Sequence, residues 1–181
     1  MVVTHKDVAQ LLADNKIIAM FQGASESGPR ALGNRSILHN PANPNGKDKV
    51  NTVKKREWFR PFAGTVLHEY AKDWFDLGKQ TESPFMMYAV DVIKSKQSLI
   101  PAITHVDGTC RVQTLRRETN KNFYDLIKEF YNLTQIPILF NTSFNMAGYP
   151  IVQTLRDAKN VVEQSAIDYL YLPESKELIW L

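Results

Sequence analysis

Four segments carry side chains suited to chemistry. Residues 27–36 read SGPRALGNRS, with two glycines and two arginines in ten positions. Glycine lets a loop backbone approach a phosphate closely, and a guanidinium meets phosphate oxygens as a planar fork. Such a run is also an ordinary Gly-Pro turn with surface arginines. Residues 53–62, VKKREWFRPF, set Lys54, Arg56 and Arg60 among Trp58, Phe59 and Phe62. The cations could line a groove. The aromatics read as core anchors, with base stacking as the alternative. Residues 104–114, THVDGTCRVQT, place Arg111 in an alternating run, where a charge is disfavoured unless exposed or paired. His105 and Asp107 could pair as acid and base, but the VDG sequence favours turn chemistry. Residues 139–145, LFNTSFN, end a buried strand in polar side chains, where open α/β sheets commonly bind ligands. Ser143 and Asn145 could serve phosphate oxygens or a bound Mg2+. No G-x-S-x-G surrounds Ser143, so it is not read as a hydrolytic nucleophile.

Charge is unevenly distributed. The chain carries +3 overall, whereas residues 28–60 hold eight basic residues against two acids, a local +6. A basic block in an otherwise slightly acidic chain points to an anionic ligand, phosphates or nucleic acid, with a solvated basic face as the alternative. The lone cysteine, Cys110, excludes an internal disulfide and fits a cytoplasmic setting. The four histidines are scattered, so no protein metal site is expected. No apolar run approaches the roughly 20 residues that span a bilayer, and the N-terminus lacks signal-peptide patterning. A length of 181 residues fits one domain, 1–181.

These residues need elements to position them. Thr4 with Asp7 predicts a capping box, followed by a helix with Val8, Leu11 and Leu12 on its apolar face and a left-handed stop at Asn15. Strands are expected at 17–21, 63–67, 86–93, 111–115, 136–140, 169–172 and 178–181. KDKVNTVKKR reads weakly as helix, and residues 40–46 as a turn. Phe123, Leu126, Ile127 and Phe130 recur at helical spacing, and Thr154 with Asp157 predicts a second capping box. The mixture points to a single α/β or α+β domain around a mixed sheet.

In order, GPRALGNRSIL, VNTVKKREWFRPFAGTVL, SPFMMYAV, ITHVDGTCRVQT and IPILFNTSFNMAGYPIV resemble the C-terminal, YrdC-like domain of O-carbamoyltransferases. That family includes enzymes of nodulation-factor and antibiotic carbamoylation. Lys54-x-Arg56 and Ser143-x-Asn145 look like the KxR and SxN signatures of the wider YrdC family. The resemblance implies a twisted mixed sheet, flanking helices and a basic cavity. It implies that Arg30, Lys54, Arg111 and Ser143 hold ATP and carbamoyl phosphate, with Arg56 and Asn145 completing the set. Lys54, Arg111 and Ser143 are the expected catalytic residues. ATP with Mg2+ is the expected substrate. The expected product is a carbamoyl adenylate, passed to an acceptor hydroxyl by a separate, actin-like, metal-binding N-terminal half. That half has no counterpart in these residues, and an apolar patch is expected at the cavity rim where it docks. No membrane is expected, and nucleic acid is disfavoured. Alternatives are a tRNA- or double-stranded-RNA-binding module, a threonylcarbamoyl-adenylate-forming module, or a non-catalytic partner-binding remnant. Two positions depart from the family pattern: Tyr149 stands where Glu is usual, and Ala24 where a basic residue is common.

Overall fold

The computed structural model describes residues 1–180. The element order is α1 (His5–Ala13), β1 (Ile18–Phe21), β2 (Arg35–His39), α2 (Gly46–Val53), β3 (Ala63–Leu67), α3 (Ala71–Trp74), β4 (Phe75–Asp76), β5 (Ala89–Val92), β6 (Thr109–Leu115), α4 (Lys121–Thr134), β7 (Ile138–Ser143), α5 (Leu155–Glu163), β8 (Tyr169–Leu172) and β9 (Glu177–Ile179). Short 3-10 turns occupy His68–Tyr70 and Lys94–Leu99. Among the described residues, no helix is long and apolar enough to cross a membrane.

The strands form one nine-stranded sheet in the order β4-β5-β6-β3-β7-β2-β1-β8-β9. β1–β8 and β3–β6 are parallel, and the remaining neighbours are antiparallel. This is the expected mixed sheet of an α/β protein. Side chains alternate across it with period two. Ile18, Met20, Leu38, Leu67, Leu139 and Tyr171 pack in one layer, beneath α1 and α4. Their sequence neighbours Ala19, Ile37, Val66, Ile138, Phe140 and Leu170 pack in the other, with residues of α2, α5 and the 100–103 segment. On α4, Phe123, Leu126, Ile127 and Phe130 are all fully buried. Each such side chain gains roughly 1.5–3 kcal/mol from leaving water.

The predicted caps form. Thr4 Oγ1 accepts from Asp7 N at 3.3 Å, and the Asp7 carboxylate accepts from Thr4 N at 2.8 Å. Thr154 and Asp157 repeat the arrangement at α5, and Asn15 leaves α1 in the left-handed region at φ 63°.

Several boundaries differ from expectation. β2 was not anticipated, because its five residues begin with Arg35 and Ser36 and show no alternation of apolar and polar types. β5 begins at Ala89 rather than Met86. Met86 sits at φ 54°, which breaks a strand, and the segment before it is pinned to β6 by Ser83 instead. Ser83 Oγ donates to Val112 O at 2.8 Å, and Ser83 N donates to Thr114 Oγ1 at 2.8 Å. β7 starts at Ile138 and runs on through Ser143, so Asn141, Thr142 and Ser143 belong to the ladder. The final strand spans Glu177–Ile179, and Leu181 of the expected 178–181 strand lies outside the described residues.

Candidate functional site: a cationic cavity at the end of three strands

On the α4 side of the sheet, β6, β3 and β7 grade from apolar to polar to charged. Leu67 pairs with Leu115 beneath α4, and Thr65 pairs with Gln113 and Leu139. Ala63 then pairs with Arg111 on one side and Asn141 on the other. Residues directly opposite share a face, so a methyl separates Arg111 from Asn141, and Ser143 lies one step further along β7. Opposite Gly64, a Cβ would sit 2.6 Å from Ile103 Cδ1, so the reverse face of this row is closed by close packing.

The charged end of this row opens into a cavity of two adjoining lobes that share lining residues. One, about 580 Å³, is lined by Lys54, Lys55, Arg56, Arg60, Ser143 and Asn145. The other, about 250 Å³, is lined by Arg30, Arg56, Arg60, Arg111, Asn141 and Ser143. Arg56, Arg60 and Ser143 face both. All six residues singled out in the sequence (Arg30, Lys54, Arg56, Arg111, Ser143 and Asn145) therefore meet here, although Arg30 and Asn145 lie far apart in the chain. Six cations face the cavity against one carboxylate, Glu57, which is paired to Arg60 at 2.8 Å. Such a concentration of like charge selects polyanions.

The turn after α2 aims the cations. Lys54 is the C-cap of α2, and Lys55 takes a left-handed conformation at φ 52°. Arg56 N then returns to Asn51 O at 3.1 Å. Buried Asn51 donates to Trp58 O and Arg60 O at 3.1 and 3.2 Å, fixing the loop that carries Arg60. Arg56 lies over the Phe62 ring at 4.6 Å.

Lys54 differs from the arginines. It is only 2% exposed. Its ammonium donates to Ser143 O, to Asn145 O at 3.0 Å and to Asn145 Oδ1 at 2.9 Å, with Ser143 Oγ at 3.4 Å. Its three N–H bonds thus have acceptors within the protein, and they hold the SxN turn in place. Burial, and then the charge of Arg56, lower the ammonium to about 7, while the surrounding oxygens favour its charged form. By contrast, the Nε atoms of Arg30, Arg56 and Arg111 are buried and have no partner. Burial and then Arg30 lower the Arg111 guanidinium, and burial and then Arg60 lower that of Arg56. Unpartnered buried donors are uncommon in folded proteins, and Arg35 Nε, away from the cavity, is another.

Three successive amides of the glycine-rich segment, Leu32 to Asn34, are held from within the protein. The Glu26 carboxylate accepts from Leu32 N at 2.9 Å and from Asn34 N at 2.8 Å, and Gly33 N donates to Ser36 Oγ at 3.0 Å. Gly33 is required by packing: its φ is 110°, and a Cβ would lie 2.3 Å from Phe123 Cδ1. Pro29, Arg30 and Ala31 line the cavity from this segment, and Arg30 brings the charge. Arg35 is buried and bonded to backbone carbonyls.

One further expectation is corrected, for the aromatics, and one holds, for the turn at 105–109. Phe62 is core, but Trp58 and Phe59 are 73% and 62% exposed, because the Asn51-held loop carries them outward. His105 and Asp107 form a turn: Asp107 accepts from Thr109 N and Oγ1, while His105 Nε2 lies 2.9 Å from Phe62 O. Apolar grooves flank the cavity. One, about 460 Å³, contains Met146, Tyr149, Pro150, Ile151 and Val161. The other includes Phe59, Phe62 and Val106. Tyr149 thus faces an apolar groove at the position where the resembling family carries Glu. Ala24 is exposed and offers its carbonyl to Asn34 Nδ2 at 2.8 Å.

A family described as "Carbamoyltransferase C-terminus" matches residues 9–176. The chain belongs to this family. As a carbamoyltransferase C-terminal domain it is 47% identical over 164 residues to nodulation protein NolNO of Sinorhizobium fredii, covering 90% of this chain and 24% of that protein. It is 49% identical over 152 residues to nodulation protein NolO of Bradyrhizobium diazoefficiens, covering 83% and 28%. The domain thus spans about a quarter of the length of these relatives. Among solved structures, full-length HypF in its phosphate- and nucleotide-bound form aligns with a TM-score of 0.66 at 18% identity, over 93% of this chain and 27% of that one. P. abyssi Sua5 complexed with L-threonine aligns at 0.64 and 11% identity, over 93% and 46%. These likenesses establish the YrdC-like fold of the carbamoyltransferase domain.

Among the cavity residues named above, Lys55, Arg60 and Asn141 were not singled out as site residues in the sequence, and Lys55 was visible only within the basic block. Arg60 was visible only as part of the basic block. Asn141 read as strand-end turn chemistry, and nothing local in the sequence marks it as facing a cavity.

Proposed function

We propose that residues 1–181 act as one cytoplasmic domain that binds ATP with Mg2+ and carbamoyl phosphate and forms a carbamoyl adenylate. The observation that carries this reading is a cavity faced by six cations against the single carboxylate of Glu57. Two polyanionic substrates repel each other. Fixed cations from Arg30, Arg56, Arg60 and Arg111 offset that repulsion and orient the reacting groups. Lys54 adds its charge from beneath the SxN turn. HypF, which shares the fold, binds phosphate and nucleotide. Mg2+ enters with the nucleotide, coordinated by phosphate oxygens and water.

Atom balance sets the order of steps. Water first cleaves carbamoyl phosphate to carbamate and phosphate. A carbamate oxygen then attacks the α-phosphorus of ATP, and pyrophosphate leaves. Such transfers ask the protein mainly for position and charge. The adenylate is fragile in water, which favours delivery within a closed assembly. The relatives carry about three times as much further chain, and exposed Trp58, Phe59 and Tyr149 beside the cavity supply an apolar surface for an actin-like half that completes transfer to a hydroxyl.

The test is exchange of labelled pyrophosphate into ATP by the purified chain. Exchange dependent on carbamoyl phosphate is expected, without carbamoylation of an added sugar hydroxyl. Absence of exchange, with no measurable ATP binding, would overturn the reading.

A further inference from the structure

Arg60 is carried differently from its neighbours in the cavity. Lys54 caps α2, Arg111 lies within β6, and Arg56 rests on the buried Phe62 ring. Arg60 sits in the stretch from Glu57 to Pro61, where every residue is exposed. Among the described residues, that stretch makes hydrogen bonds only with itself, with Arg56 at its own root and with Asn51. Asn51 is thus what ties it to the body of the domain. An exposed loop without such a tie samples many conformations.

The choice of side chain at this point is informative. Asn51 is one of the buried residues of α2, with Val50 and Val53, and is 2% exposed. Its Nδ2 donates to Trp58 O at 3.1 Å and to Arg60 O at 3.2 Å, so both amide protons are committed to the loop. Turning the amide over would set its oxygen against those two carbonyls. Oδ1 is therefore left buried, with no partner among the described residues. The unpaired acceptor offsets much of what the two hydrogen bonds contribute to stability. A leucine of similar shape would avoid that cost. What the amide supplies, and an apolar residue cannot, is a fixed place for two loop carbonyls, one of them Arg60's own.

We propose that Asn51 is a positioning residue: by holding the Trp58 and Arg60 carbonyls, its side chain sets the fraction of molecules in which the Arg60 guanidinium faces the cavity. The inference rests on the reading of the cavity as an ATP site. A ligand that needs the competent loop binds more weakly in proportion as that loop is less populated. Asn51 lines neither lobe, so its effect on the ligand runs through Arg60. That gives a signature which a residue serving stability alone lacks: removing Arg60 removes the effect of Asn51.

The experiment is a double-mutant cycle on ATP affinity, measured by calorimetry with Mg2+ on the full chain. Asn51→Leu should weaken ATP binding about tenfold, and Arg60→Met about tenfold to a hundredfold. The double variant should match Arg60→Met to within about twofold. In a second cycle, the losses from Asn51→Leu and Arg111→Met should multiply, since β6 holds Arg111 independently of the loop. Asn51→Ser, whose hydroxyl can donate to only one of the two carbonyls, carries the same cycles if the leucine variant does not fold. Unchanged ATP affinity in a folded Asn51 variant would overturn the inference. So would losses that multiply with Arg60→Met or fail to multiply with Arg111→Met, and so would Arg60→Met binding ATP as the wild type does. In each of these cases ATP binding itself stands, and only the role of Asn51 falls. A wild type that binds no ATP would sink the functional reading, and this inference with it.

Discussion

Arg35 opens β2 and Arg111 lies within β6, and although both are strand arginines they are used in opposite ways. Arg35 donates to the carbonyls of Gln22, Gly23, Asn34 and Gln153 and lies 3.6 Å over the Phe21 ring. Arg111 is half-buried, stands beside Arg30 and lines the cavity, while Nε of both Arg35 and Arg111 is buried without a partner. The first guanidinium fastens the glycine-rich turn to the sheet. The second is held ready beside another cation at a cost in self-repulsion. Cation density therefore does not locate the site; the supply of carbonyl acceptors around each cation does.

The sharpest way to break this contrast is to remove Arg35. Arg35→Met strands several buried carbonyls, so it should lower unfolding free energy by about 2–4 kcal/mol in urea titration. The folded fraction should bind ATP normally. A large loss of ATP affinity at unchanged stability would reverse the assignment.

Arg111→Met should do the opposite. ATP affinity by calorimetry should fall by about 1.5–3 kcal/mol, the usual value of a charge-assisted contact. Thermal stability should hold or rise slightly, since one member of a repelling pair is gone. A stability loss comparable to that of Arg35→Met would place Arg111 in the scaffold.

The smallest effect concerns Lys54, which sits between these extremes. Burial lowers its ammonium to about 7, so charge is lost as pH rises through that value. ATP affinity should weaken by less than about tenfold between roughly pH 6 and 8, and Lys54→Met should flatten that dependence. Stability should move the other way. Between about 7 and the ordinary 10.5, the unfolded chain holds a proton that the folded chain has released, so unfolding free energy rises with pH across that window. A pH-independent affinity in the wild type would show that the surrounding oxygens keep Lys54 charged throughout.

Much of the scaffold was legible because its signals are local. Thr4 with Asp7, Thr154 with Asp157 and the Phe123–Phe130 spacing each specify an element within a few residues. β2 was hidden because all five of its residues are buried, so no alternation is visible. Lys54, Arg56, Ser143 and Asn145 were legible as short signatures, and Arg30 and Arg111 through the order of motifs. What each cation does was not legible, because Glu26, the Gly33–Phe123 contact and the carbonyls around Arg35 are three-dimensional neighbours. Asn141 escaped for the same reason. Its position at the cavity wall emerges only after Ala31, Thr65 and Gln113 are placed around it.

The parallel pairing of β1 with β8 has a kinetic consequence. The Ile17 amide donates to the Asp168 carboxylate across 151 residues of sequence, and Ile18 pairs with Tyr169. During synthesis β1 can meet β2 early, but its other edge must wait until nearly all the chain has emerged. Until then an apolar strand, Ile18 to Phe21, presents open backbone groups. Contacts this distant slow folding, because loop closure must precede the pairing that rewards it. Refolding should accordingly end in a late step that docks β8, and the waiting β1 edge is where intermediates would stick to one another.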